Sequence, residues 1–246
     1  MIEIPEIAKP GYKEGKNPFF IHIHIPKTGG TTFNKLLEKN FNNSFEQFAG
    51  RFIYLFPKFS IDQIINFIEL HSVINCVASH NFTAILPYQF GKRKIVGVAF
   101  LRDPIDTFLS LYFHLRHRGG NFIESQKNLD DYIELKTKNI RSIDKKGFLK
   151  VMTGYENKEA FKYIKLLVEN RNLFLFDTNR MQNSYDILCD IFPDYFARNK
   201  VTKENISKKD QNVTEIQRNK IKGTVSDFDW KLLDLANKNM DSLYQK

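Results

Sequence analysis

Four short apolar stretches punctuate the chain, and patterns of helical period lie between them. Phe19–Ile25 (FFIHIHI) alternates around isoleucine and predicts a strand, as do Val73–Ser79, Lys94–Leu101 and Asn172–Phe176. After the first strand, Phe33, Leu36, Leu37 and Phe41 share one face of a helix over Thr31–Phe41. Ser60 with Gln63 reads as a capping box that opens a second helix, striped by Ile61, Ile64, Ile65 and Ile68. Asp103-Pro104 sets an N-cap and an N1 proline at the start of a third helix, which runs to about His117 and stops at Gly119-Gly120. Further helices are predicted over 129–138, Lys158–Glu169 and Met181–Phe192, the last ending before Pro193. Ser226 with Asp229 caps a final helix that ends near Leu243, while the basic stretch 197–212 reads as a loop or lid.

Helices alternating with short apolar strands predict an α/β fold: a single domain with a central parallel sheet of about four strands, flanked by helices. Residues 1–17, rich in Pro, Gly and Lys, form an N-terminal arm ahead of a domain over 18–246. A content of 42% hydrophobic residues, with 23 Phe, supplies one sizeable core and excludes disorder of the whole chain.

Charge adds a bias toward partners. A formal net charge of +9 favours anionic ones, but nucleic acid, nucleotides, acidic glycans and membrane surfaces all satisfy it equally. Cys76 and Cys189 sit far apart inside apolar stretches and read as buried small hydrophobes. With no CxxC, HExxH or clustered carboxylates, no metal is expected. The N-terminus has no apolar leader, and no run approaches the ~18 residues of a membrane helix, so the expectation is a soluble, cytoplasmic chain with no transmembrane segment.

Candidate chemistry begins where the first strand turns into the first helix, in HIPKTGGTTF (His24–Phe33). A helix that starts beyond the carboxyl end of a parallel strand points its N–H groups and positive dipole end at an arriving anion. Gly29 and Gly30 let the backbone approach closely; Lys27 adds a point charge; Thr28, Thr31 and Thr32 add hydroxyl donors. A plain strand–helix turn also uses glycines and threonine caps. The order is not Walker A, in which the lysine follows the glycines. It resembles the 5′-phosphosulfate loop of the carbohydrate sulfotransferases, in particular the heparan sulfate 6-O- and 2-O-sulfotransferases.

A second segment, VGVAFLRDPIDTFLSLYFH (Val96–His114), resembles that family's 3′-phosphate segment. Arg102, at the end of a strand, presents a planar fork suited to bidentate phosphate binding, with Asp103 and Asp106 as its alternative partners. Ser110 lies eight residues on along the following helix. The resemblance implies a P-loop-like sulfotransferase fold. It also implies 3′-phosphoadenosine 5′-phosphosulfate (PAPS) as donor, one cradle for each phosphate, and Lys27 meeting the charge on the leaving oxygen.

The acceptor hydroxyl needs a base, and six histidines are available. His22 and His24 alternate with isoleucines and are expected to pack between sheet and helix; His71 ends a helix; His114 and His117 follow Ser110 at helical spacing. His80 ends the apolar strand VINCVAS at the carboxyl edge, and a histidine after a comparable strand is the base in the resembled family. The partner implied is a carbohydrate or glycoconjugate acceptor, anionic ones included, rather than nucleic acid. A small-molecule kinase with a variant phosphate loop and a non-catalytic nucleotide- or glycan-binding module are the alternatives.

Overall fold

A computed structural model describes residues 18–42, 51–54, 63, 66, 74–80, 82–85, 89–90, 93–118, 127–138, 147–202 and 212–244. The arm 1–17 and most of the helix expected from Ser60 lie outside these residues; of that helix, Gln63 and Asn66 are described and are helical. Strands β1 (Pro18–Ile23), β2 (Arg51–Tyr54), β3 (Ile74–Ser79), β4 (Gln89–Phe90), β5 (Arg93–Leu101) and β6 (Leu173–Asp177) form one six-stranded sheet. The helices are α1 (Gly30–Asn42), α2 (Pro104–Arg118), α3 (Leu129–Lys138), α4 (Phe148–Thr153), α5 (Lys158–Glu169), α6 (Met181–Ile191), α7 (Glu215–Lys222) and α8 (Asp227–Tyr244).

The strands follow the order β2-β3-β1-β5, and β5 then pairs with β6. All these pairs are parallel; the two-residue β4 alone runs antiparallel, against the start of β5. The strands expected from the apolar pattern are thus β1, β3, β5 and β6, and the sheet adds β2 and β4.

Both faces of the sheet are covered, which is why β1 is buried at all six positions. Phe19, Ile21 and Ile23 join Leu173, Leu175 and residues of α4, α5 and α8 in one core. Phe20, Val96, Val98, Phe174 and Phe176 face the other way and pack with Phe33 and Leu37 of α1 and Tyr185 and Leu188 of α6. A smaller cluster joins α2, α3 and α7 through Leu109, Tyr112, Tyr132 and Ile221.

The local signals at two helix starts are realised by side-chain caps. Asp103 accepts from the Asp106 amide at 2.9 Å, and Asn128 does the same for Asp131. At α8 the outcome differs from the sequence expectation. Ser226 Oγ accepts from Phe228 N at 3.3 Å, but Asp229 turns inward and accepts from Phe148 N at 2.6 Å. It thereby caps α4, whose own N-cap, Gly147, has no side chain to offer. A Cβ on Gly147 would stand 2.8 Å from that carboxylate.

Burial outweighs the backbone hydrogen bonds and pushes Asp229 up to about 7. Between its ordinary 3.8 and that value the folded chain holds a proton that the unfolded chain has lost, so this group's contribution to stability falls as pH rises through the window. Thermal melts should therefore show Asp229→Asn gaining on the wild type from about pH 4 to about pH 8, by on the order of a few kcal/mol. A stability difference constant across that range would overturn the burial argument.

Candidate active site

Strand register decides which residues meet at the carboxyl edge. Ile23 pairs with Ser79 on one side and with Ala99 on the other, and Leu101 pairs with Asp177. The residues that follow these pairs, His24 beside His80 and Arg102 beside Thr178, therefore emerge side by side. The edge is also where connections diverge: β1 leads toward β2 and β3, whereas β3 leads to β5 on the opposite flank of β1. Such a switch point opens a crevice beyond the strand ends, the ordinary ligand position in an open parallel sheet.

The loop from β1 to α1 curls tightly. Lys27 and Gly29 both have left-handed backbones, with φ of 66° and 83°. Positive φ alternating with negative is the backbone form that anion-binding nests take, and here it stands at the start of α1. The reason for the two glycines differs from the sequence expectation of open approach to a ligand. A Cβ on Gly29 would stand 2.7 Å from Met181 Cε, and one on Gly30 would overlap the His24 ring. Both glycines make room for protein, while their amides remain part of the loop.

The threonines also divide. Thr28 is buried, and its hydroxyl donates to Ile25 O at 2.9 Å, so it closes the turn rather than offering the expected hydroxyl donor. Thr31 is exposed on the first turn of α1, and Thr32 is buried behind it. Lys27 is half-buried; burial first and then the charge of Arg102 hold its ammonium below the usual lysine range. The two cations, one after β1 and one after β5, thus feel each other's charge, a repulsion that an anion between them would relieve.

The acids next to Arg102 are engaged elsewhere. Asp103 caps α2, and Asp106 faces Arg218 at 3.5 Å. Among the described residues no acid pairs with Arg102. Ser110 is buried two turns into α2. One contributor has no signature in the sequence: Thr178, just past β6, places its hydroxyl 2.6 Å from Thr28 O and 2.7 Å from Leu101 O. Its single proton is shared between the β1–α1 loop and the residue before Arg102.

The histidines separate by environment. His22 is buried, donates from Nδ1 to Asn34 Oδ1 at 2.6 Å and is pushed down to about 4, chiefly by burial. His24 is buried beside it, the two rings stacked at 5.2 Å. His80 is exposed and stacks on His24 with ring centroids 4.0 Å apart. Its Nδ1 donates to His24 O at 2.7 Å, which leaves the lone pair of the neutral ring on Nε2. His114 and His117 lie exposed on α2, where His117 bonds back to Phe113 O. His71 lies outside the described residues. Among the described residues no group of His, Cys, Asp and Glu has the arrangement of a metal site, and no helix is long and apolar enough to cross a membrane.

The model of the sulfotransferase family matches residues 14–215. The chain is 23% identical to a heparan sulfate 2-O-sulfotransferase of Caenorhabditis elegans, over 92% of this chain and 79% of that protein. It is 28% identical to an uncharacterized protein of Archaeoglobus fulgidus, over 47% of each. Among solved structures it is similar to a mouse sulfotransferase complexed with PAP, with TM-score 0.42, 14% identity and coverage of 88% of this chain and 67% of that one. A sulfotransferase of Alicyclobacillus acidocaldarius aligns with TM-score 0.46 and 10% identity, over 93% of this chain and 99% of that one.

Proposed function

Because the chain belongs to the sulfotransferase family, we propose that it moves a sulfuryl group from PAPS to a hydroxyl of a carbohydrate or glycoconjugate acceptor, with His80 as general base. The observation that carries this reading is the alignment of three strand ends. Lys27 follows β1, Arg102 follows β5 and His80 follows β3, so two converging cations and a base stand along one crevice. The nest and its lysine fit a 5′-phosphosulfate, and Arg102 with Ser110 fits a 3′-phosphate. The name of the C. elegans relative supports a sugar hydroxyl as acceptor class.

In this reading the acceptor O–H proton passes to His80 Nε2 as the acceptor oxygen bonds to sulfur. The sulfur–oxygen bond to the 5′-phosphate breaks, and its electron pair leaves on the phosphate of 3′-phosphoadenosine 5′-phosphate (PAP). Lys27 and the loop N–H groups meet that growing charge and need no rearrangement to do so.

Two separated cradles predict a ligand preference. PAP at a hundredfold excess over its dissociation constant should stabilise the fold by about 3 kcal/mol, read as a thermal shift. AMP, which lacks the 3′-phosphate, should do far less. Equal shifts would remove Arg102 and Ser110 from the donor site.

A further inference from the structure

The rings of His22, His24 and His80 form a continuous stack running from the core to the crevice. The inner pair lies at 5.2 Å and 17° and the outer pair at 4.0 Å and 27°. Asn34 of α1 anchors the inner end through His22, and Phe33 meets His22 edge-on at 4.9 Å. The middle ring touches both halves of the site. One face stacks on His80, and its Cδ2–Nε2 edge fills the space a Cβ on Gly30 would take. The His24 backbone takes part as well: its N–H donates to Ser79 O at 3.1 Å, and its carbonyl accepts from His80 Nδ1 at 2.7 Å.

We infer that His24 is a positioning residue: its ring and carbonyl together orient the His80 imidazole, and Gly30 of the donor loop fixes the His24 ring in turn. The inference rests on the reading of His80 as the base. A base must hold its accepting nitrogen toward the acceptor, and an exposed imidazole otherwise turns about two side-chain bonds and exchanges tautomers. The carbonyl selects the Nδ1–H tautomer, and the stacked ring limits rotation. Burial, reinforced by His22 and His80, pushes His24 down to about 2, so the plate beneath the base stays uncharged and does not compete for its proton. The same contact ties the start of α1, where the donor's 5′ end is proposed to sit, to the group that activates the acceptor.

The test compares His24→Ala and His24→Phe in the full chain, measuring kcat, PAP affinity by calorimetry, and ¹⁵N NMR of the His80 ring. His24→Ala should lower kcat by ~10–100-fold, the scale of a misplaced catalytic group. The flat ring of His24→Phe should recover most of that loss. PAP affinity should hold in both variants, and His80 should pass from a single Nδ1–H tautomer in the wild type to a mixture in His24→Ala. Unchanged kcat in His24→Ala, a PAP affinity that falls in step with kcat, or a phenylalanine variant no better than alanine would each overturn the inference. Should His24→Ala not fold, the wild-type spectrum decides: a mixture of tautomers overturns it, and a single Nδ1–H form supports it. The spectrum needs no turnover, so failure here is distinct from failure of the functional reading, which shows as a wild type that neither binds PAP nor sulfates an acceptor.

Discussion

His80→Ala is expected to lower kcat by ~10²–10⁴-fold with a true acceptor and to leave PAP affinity nearly intact. The split follows from the architecture. The donor's proposed contacts come after β1 and β5 and along α2, whereas His80 follows β3 and is held by a neighbouring carbonyl. Removing the imidazole takes away an acceptor for the proton and nothing that holds the nucleotide. His114→Ala and His117→Ala are the controls. Both rings are exposed on α2, and their loss should cost little. Normal turnover by His80→Ala on a true acceptor would move the base elsewhere, with carboxylates of residues 118–155 next in line.

Lys27→Ala comes second in size. Loss of one preorganised group facing developing charge costs on the order of 10²–10³ in kcat, and that is the loss expected here. PAP affinity should weaken by much less, because the nucleotide keeps the loop N–H groups at its 5′ end and Arg102 with Ser110 at its 3′-phosphate. Lys27 also adopts φ of 66°, a left-handed backbone that side-chain-bearing residues seldom take, so alanine inherits the same strain and the comparison isolates the ammonium. Measured kcat close to wild type, with only a raised KM for PAPS, would make Lys27 a binding residue alone.

Legibility of the fold tracks the length and purity of the hydrophobic pattern. β1, β3, β5 and β6 are fully covered strands, so their sequences are nearly continuous apolar runs and stand out. β4 spans two residues and α4 spans six, lengths over which no period can be distinguished. α7, EIQRNKIK, buries Ile221 alone, so its capping box at Thr214 and Gln217 is a stronger mark than any stripe. Asp229 reads as part of a cap for α8 from spacing, but the uncapped start of α4 takes its carboxylate across 81 residues to Phe148, against the cost of burial.

The site divides along the same line. The places of Lys27, Arg102 and the loop amides at the carboxyl edge are legible because each segment is contiguous in sequence, a strand end followed by a helix start. His80 is legible from its place at the end of an apolar strand. Why Gly30 must be glycine is not legible, because the occupant of its missing Cβ position comes from the facing His24 ring. Thr178 is invisible for a related reason. Its two partners lie 150 and 77 residues away and meet it only through the parallel register of β1, β5 and β6.

That shared proton of Thr178 has a consequence for selectivity in the proposed donor site. Its two carbonyl partners belong to the loop that carries Lys27 and to the strand end that carries Arg102, so the gap between the two cationic jaws is set before any nucleotide arrives. In the proposed donor site the jaws would then act as a gauge rather than as a sponge for negative charge. A molecule with one phosphate would grip one side, and only one whose anionic groups match the set span would engage both without deforming the chain. Discrimination by span would come from a hydroxyl that carries no charge of its own.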